Sequence, residues 1–335
     1  MSAATPQLLT GLLHDVSRSF YLTLRVLPGA IRPQLGLAYL LARTSDTIAD
    51  TEIIPPAQRL SALNALRERI LSANSAPPDL GQIAREQGVP AERALLDRFE
   101  EAVAVLHDFN SADQQRIREV LDIITRGQEL DLQRFGAANE QNIVALRTAA
   151  ELDDYTYRVA GCVGEFWTKM CRTHLFPTAP VDDSFLLTNG VRLGKGLQLV
   201  NILRDLPKDL RQGRCYLPAE ELRQFNLTPA ELLTVTSESR LRPLYQKYLA
   251  LAEDHLTAGW AYTNALPRSC QRVRLACAWP ILIGMRTLRR LHAANVLDAT
   301  QRVKVSRAEV RSVILRSVAA CLWAPSWERL FERAR

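Results

Sequence analysis

A chain of 335 residues, 47% of them apolar, is long enough to bury a large core. Its formal charge of +6 suits an anionic partner, but the Lys and Arg residues are interspersed with acids and lack the aromatic interleaving of an RNA-binding surface, so no nucleic-acid role is expected. No stretch approaches the ~20 uninterrupted apolar residues of a membrane span, and the opening MSAATPQLLTGLLHDVSRSF has no basic segment followed by an apolar run.

In chain order, apolar residues recur at three- and four-residue spacing, and strand-like alternation is nearly absent. The pattern predicts helices over 29–50, 56–73, 91–108, 111–135, 141–175, 183–211, 238–265, 269–295 and 304–322. Prolines such as Pro33, Pro55, Pro56, Pro77, Pro78, Pro177, Pro180, Pro218 and Pro267 mark the joints. The stretch SANSAPPDLGQIAREQGVP reads as a surface connection with one short helix. The expected architecture is one all-α domain over 1–335, a helical bundle around a central hydrophobic cavity. A catalytic core over about 17–295 is followed by a basic amphipathic helix at about 304–331, with Val310, Val313, Ile314, Val318 and Leu322 as its apolar stripe. That stripe suits docking on the core or lying on a membrane surface. Six cysteines (Cys162, Cys171, Cys215, Cys270, Cys277 and Cys321) form no C-x-x-C pair and no grouping with histidine, the pattern of buried thiols in a reducing compartment. A cytoplasmic location is expected, with peripheral contact at the inner membrane face left open.

Two helices are unusually apolar. In LGLAYLLARTSDTIAD, the polar residues Tyr39, Arg43, Asp46 and Asp50 fall at steps of four, three and four. In LQLVNILRDLPKD, Gln198, Asn201, Asp205 and Asp209 do the same at steps of three, four and four. Such spacing puts each set on one stripe of its helix. A narrow polar stripe flanked by Leu, Ile and Val suggests carboxylates turned toward an interior, where they need compensating cations. Residues four apart rise by ~6 Å, so their oxygens can reach neighbouring ions. Magnesium takes one or two carboxylates and completes its shell with water and substrate phosphates. The pattern therefore suggests magnesium held against a diphosphate, with Arg43 and Arg204 nearby. Pro207 lies between Asp205 and Asp209 and predicts a kink or loosened turn there.

With these motifs in hand, the chain resembles the squalene/phytoene synthase family of head-to-head prenyl synthases. DTIAD and NILRDLPKD are similar to its two aspartate-rich motifs. SRSFYLTLRVLP resembles the N-terminal substrate-binding segment, YTYRVAGCVGEF the tyrosine-and-VAG helix, and GRCYLP follows the second motif at the family's distance. The resemblance runs from about Ser17 to Arg307. It implies metal ligation by Asp46, Asp50, Asn201, Asp205 and Asp209, and catalysis by those four aspartates with Tyr155. It implies substrate contacts from Ser17, Arg18, Ser19, Phe20, Tyr39, Arg43, Gln198, Asn201 and Arg204. Near the C-terminus, LACAWPILIGMRTLRRL and RVKVSR resemble the squalene-forming branch and its NADPH segment, implying cofactor contacts from Arg18, Arg43, Lys304 and Arg307.

The implied reaction is the magnesium-dependent condensation of two farnesyl diphosphates through presqualene diphosphate to squalene, with NADPH as reductant. Alternatives within the family stop at presqualene diphosphate, or form dehydrosqualene or phytoene without hydride transfer. Relatives of the fold that serve as non-catalytic assembly factors form a further class. Two departures stand out: Ala49 replaces a glutamate of the first motif, and Ala276 replaces an aromatic residue, with Trp279 as a candidate stand-in.

Overall fold

The computed structural model describes residues 8–17, 20–72, 74–321 and 323–335. Its contacts gather into two compact units: 1–136 with 169–177, and 137–168 with 178–335. Both are built from helices.

In the first unit a π-helical turn, Leu8–Leu12, leads into α1 (Leu13–Ser17), followed by α2 (Phe20–Val26) and α3 (Arg32–Asp50). Then come α4 (Pro56–Leu71), α5 (Gly81–Glu86), α6 (Pro90–Asp97), α7 (Phe99–Leu106) and α8 (Ser111–Phe135). Prolines open α3, α4 and α6, where a missing N–H costs nothing because first-turn amides have no helical partner. Helix α3 packs against α4, α6, α7 and α8 through Leu37, Leu40, Leu41 and Ile48, all fully buried. Asn110 caps α8 by accepting from the Asp113 amide at 2.9 Å. The fully buried Asp113 carboxylate in turn accepts from Asn110, Arg116 and Gln34 and is held by His174 at 2.9 Å. These contacts outweigh burial and hold its carboxyl below the usual range.

The second unit begins with β1 (Val144–Ala145), paired in parallel with β2 (Arg214–Cys215). Helix α9 (Ala149–Thr156) passes through a π-helical turn, Tyr157–Gly161, into α10 (Cys162–Leu175), whose last residues, from Lys169 on, belong to the first unit. The long α11 (Asp183–Arg211) follows, then the short α12 (Ala219–Gln224), α13 (Glu238–Ala265), α14 (Gln271–Ala293), α15 (Arg307–Ala320) and α16 (Ala324–Ala334). Helix α11 lies against α13 and against the 157–164 stretch at backbone distance. A Cβ on Gly164 would sit 1.9 Å from the Gly190 carbonyl oxygen, and one on Gly194 would sit 2.1 Å from that of Ala160. The V-A-G-x-V-G segment is therefore a contact surface that only hydrogen at those positions permits. Trp327 and Phe331 of α16 stack on Trp260 of α13, with centroids 5.2 and 5.3 Å apart.

The structure corrects several sequence expectations. The stretch 141–148 is not helical: its residues pair with the 213–215 stretch, and the helix starts after Thr148, whose hydroxyl accepts from the Glu151 amide. The 91–108 helix is two helices meeting at Arg98. The segment 304–331 is likewise two helices, α15 opened by a Ser306–Glu309 capping box and α16 by Pro325. Of the expected apolar stripe, Val313 is buried, Val310 and Ile314 are half-buried, Val318 is exposed, and Leu322 lies outside the described residues. Pro207 lies inside a helix that continues through Arg211. Proline lacks the N–H that the Leu203 carbonyl would accept, and the buried Tyr245 hydroxyl donates to that oxygen instead at 2.9 Å. Trp279 packs in the core and donates its indole N–H to Ser317 at 2.8 Å. Five cysteines are buried and Cys321 is half-buried; all six are free thiols.

Candidate active site

On α3 the stripe is less buried than its apolar flanks suggest. Tyr39, Arg43 and Asp46 are half-buried, and Asp50 is exposed at the end of the helix. The Asp46 carboxylate accepts from the Gln128 amide of α8 and faces Arg43 at 3.8 Å, while Arg43 pairs with the buried Glu92. About half of the Asp46 side chain (47%) stays open to solvent, yet neighbouring protein crowds its carboxyl. Burial, then the charge of Asp50, pushes that carboxyl up to about 7, against the opposing pull of Arg43 and Gln128. Burial works against the Arg43 charge, but Asp46 and Glu92 reverse it and raise its pKa. At the C-terminus of α3 the buried Arg59 guanidinium donates to the Ala49 carbonyl, so the backbone of Ala49 is engaged where its side chain offers no ligand.

On α11 the pattern differs. Gln198 and Asp209 are half-buried and Asn201 is exposed. Arg204 grips its neighbour Asp205 through two hydrogen bonds, Nε to Oδ1 at 2.9 Å and a terminal nitrogen to Oδ2 at 2.5 Å. That pairing, ahead of the opposing effect of burial, raises the arginine pKa. The bidentate geometry fixes the Asp205 plane while leaving 40% of its side chain open.

Tyr155, in α9, is buried and stacks on Tyr216 with centroids 4.7 Å apart. Two residues on, within the π-helical segment, Tyr157 donates to Glu165 at 3.2 Å, and burial followed by the Glu165 charge pushes its phenol up to about 12. Lys195 of α11 pairs with Asp153 at 2.7 Å. Ser17 closes α1, buried, with its hydroxyl unpartnered among the described residues. Arg18 and Ser19 lie outside the described residues, as does the Phe20 side chain. Lys304 and Arg307 are exposed, with no ion-pair partner among the described residues.

Gln128 and Glu92 were missed by sequence reasoning. Gln128 had a legible signal: Thr125, Gln128 and Asp131 fall at steps of three on one stripe of α8. Glu92 had none, because its partner Arg43 is 49 residues away.

The donor set suits magnesium. Each helix offers two carboxylates, with an amide oxygen on α11, and no thiolate or imidazole; a hard cation that completes its shell with water and phosphate needs no more. Among the described residues no cluster of three or more His, Cys, Asp or Glu forms a site able to hold a metal unaided.

Against known proteins, residues 13–309 match the model of the squalene/phytoene synthase family. The bifunctional lycopene cyclase/phytoene synthase of Blakeslea trispora is 27% identical over 281 residues, covering 82% of this chain and 43% of that protein. The chain thus spans less than half the length of the first curated relatives it matches. The presqualene diphosphate synthase of Rhodopseudomonas palustris is 30% identical over 250 residues, covering 75% of this chain and 76% of that one. The solved structure of TcSQS in complex with a ligand superposes with a TM-score of 0.76 at 23% identity, over 96% of this chain and 89% of that one. The chain belongs to the squalene/phytoene synthase family, whose members are prenyltransferases.

Proposed function

We propose that this protein is a magnesium-dependent squalene synthase, joining two farnesyl diphosphates head to head through presqualene diphosphate. The observation that carries the reading is the α3 stripe: two carboxylates one turn apart, one of them pushed up to about 7 by burial and by the other's charge. Such a pair is relieved by a cation, and α11 repeats the spacing.

In this reading Asp46 and Asp50, with Asn201, Asp205 and Asp209, supply the oxygen ligands of magnesium. The ion, when bound, neutralises the diphosphate as the allylic carbon–oxygen bond breaks and the electron pair leaves with it. Arg43 and Arg204 add positive charge for the phosphates, and their carboxylate partners hold both guanidiniums in place. The double bond of the second substrate attacks the cation, and loss of a proton closes the cyclopropane. Tyr155 assists that proton loss or orients the departing diphosphate. A phenol, with a reference pKa near ~10, is a weak base, so the released diphosphate is the better acceptor. Lys304 and Arg307, exposed and uncommitted, suit the 2′-phosphate of NADPH, which when bound supplies hydride for the reduction to squalene. The Rhodopseudomonas relative supports a second reading, in which the protein stops at presqualene diphosphate.

Purified protein incubated with farnesyl diphosphate and magnesium, with and without NADPH, separates these. Squalene formed only with NADPH is expected. Identical products in both reactions would reject the reduction, and turnover of geranylgeranyl diphosphate would point to phytoene instead. Asp46→Asn or Asp205→Asn should lower turnover on the order of a thousandfold, ~4 kcal/mol of transition-state stabilisation, with the fold intact by circular dichroism. Undiminished turnover in either variant would refute the ligand assignment.

A further inference from the structure

The charge of the chain is concentrated at one end. Residues 301–335 hold eight Lys and Arg against three Glu, a net +5 out of +6 for the whole protein. Most arginines of this protein have carboxylate or carbonyl partners. Several in and beside this region do not, among them Arg286 of α14, Arg316 of α15 and Arg333 of α16, which have no side-chain hydrogen bond or ion pair among the described residues. All three line one shallow cleft, open to solvent, together with Leu282, Val313 and Leu330.

The cleft is built, not incidental. Helix α15 turns Val313, Ser317 and Ala320 inward, and the Ser317 hydroxyl accepts from Trp279 of α14, fixing the helix. Helix α16 is anchored by Trp327 and Phe331 on Trp260, and the Arg333 carbonyl accepts from Arg289. The Nε of Arg286 is buried and unpartnered, an orphan donor of the kind that folded proteins normally satisfy. The acid whose charge reaches Arg286, Glu309, is already committed to Arg290 at 2.5 Å and to Ser306.

We propose that this cleft binds a phosphate group, through the guanidiniums of Arg286, Arg316 and Arg333. Guanidinium forks match phosphate oxygens in geometry and charge, and three of them border this one cleft. Burial, with like charge from Arg289, Arg316 and Arg290, depresses the Arg286 pKa, and a bound anion would relieve that strain. The site lies outside the aspartate motifs and stands or falls independently of the proposed reaction.

The test uses the full-length protein with EDTA present, so that the carboxylate motifs hold no metal. Two probes separate the sources of phosphate: inorganic phosphate followed by calorimetry, and cosedimentation with vesicles of phosphatidylglycerol and phosphatidylcholine in equal parts, against phosphatidylcholine alone. The variant R316Q/R333Q removes two exposed cations, and R311Q, about 140° round α15 from Arg316, removes one outside the cleft. Saturable binding of either probe that weakens at least about tenfold in R316Q/R333Q and less than about twofold in R311Q supports the site. Whichever probe binds identifies the source. Should the double variant lose its native circular dichroism, Arg333→Gln alone replaces it in the same comparison. No binding of either probe to the native protein, unchanged binding in R316Q/R333Q, or an equal loss in R311Q would overturn the proposal.

Discussion

The two acidic helices carry similar side chains at the same spacing but are held by opposite means. Helix α3 is fixed by bulk: Leu37, Leu40, Leu41 and Ile48 fill the space around it, and its carboxylate is steered by Gln128 and Arg43. Helix α11 is fixed by the lack of bulk, since Gly190 and Gly194 let its backbone touch the 160–164 segment directly. Its carboxylate is steered by Arg204, the residue beside it. One site draws on Gln128 of another helix as well as Arg43 one turn away, the other on its own neighbour in sequence. Truncating its apolar side chains should therefore destabilise α3, whereas α11 should suffer from any methyl group added at its glycine contact.

That contrast can be broken from either side. The largest effect is expected for Gly164→Ala: its methyl would meet the Gly190 carbonyl at 1.9 Å, so the helices must separate, at a cost of about 4 kcal/mol in urea unfolding. A loss below about 1 kcal/mol would show that the close approach is not needed. On the other helix, Leu41→Ala should cost about 3 kcal/mol by leaving a cavity. A negligible change there would mean that α3 is not held by its apolar neighbours. Gln128→Leu removes the amide that steers Asp46 and should reduce turnover about tenfold to a hundredfold, with little change in stability. A matched Arg204→Gln variant shows whether the local clamp on Asp205 matters as much; if Gln128→Leu turns over normally, the distant clamp is dispensable.

Smaller effects sharpen the picture. Tyr245→Phe strips the hydroxyl from the Leu203 carbonyl above Pro207, and about 1 to 2 kcal/mol should be lost on thermal unfolding. An unchanged midpoint would mean that the proline needs no substitute donor. The pH response of the first unit is set in part by Asp113, whose carboxyl is held below its unfolded value by His174, Gln34 and Asn110. A depressed carboxyl stabilises above its unfolded pKa, and that stabilisation is lost as pH falls through the lower folded value. The native protein should therefore lose thermal stability more steeply than Asp113→Asn as pH falls below ~4. Parallel curves would remove Asp113 from the account.

Much of the fold was legible because helical periodicity leaves a trace in every turn: α3, α4, α8, α11 and α13 begin or end within a few residues of their expected limits. The errors came where local pattern and long-range pairing disagree. Ile143, Val144 and Leu146 look helical by spacing, but the chain there pairs with the 213–215 stretch, some 70 residues on. The Thr148-to-Glu151 cap, visible in the sequence, marked the true start. At the site, both stripes could be read because they sit within single helices. The groups that tune them could not, since Glu92 and Gln128 reach α3 only through tertiary packing. The group that satisfies the carbonyl freed by Pro207 was likewise hidden, since the Tyr245 phenol lies on another helix.

The unequal burial of the thiols has a practical consequence. Cys162, Cys215 and Cys277 are buried and pushed up to about 12 by desolvation, so they resist alkylation at neutral pH. Cys321, directly after α15, is the half-buried thiol of the six. A maleimide dye applied briefly under native conditions should therefore label that position first, giving a fluorescent reporter at the end of α15 without any engineered cysteine.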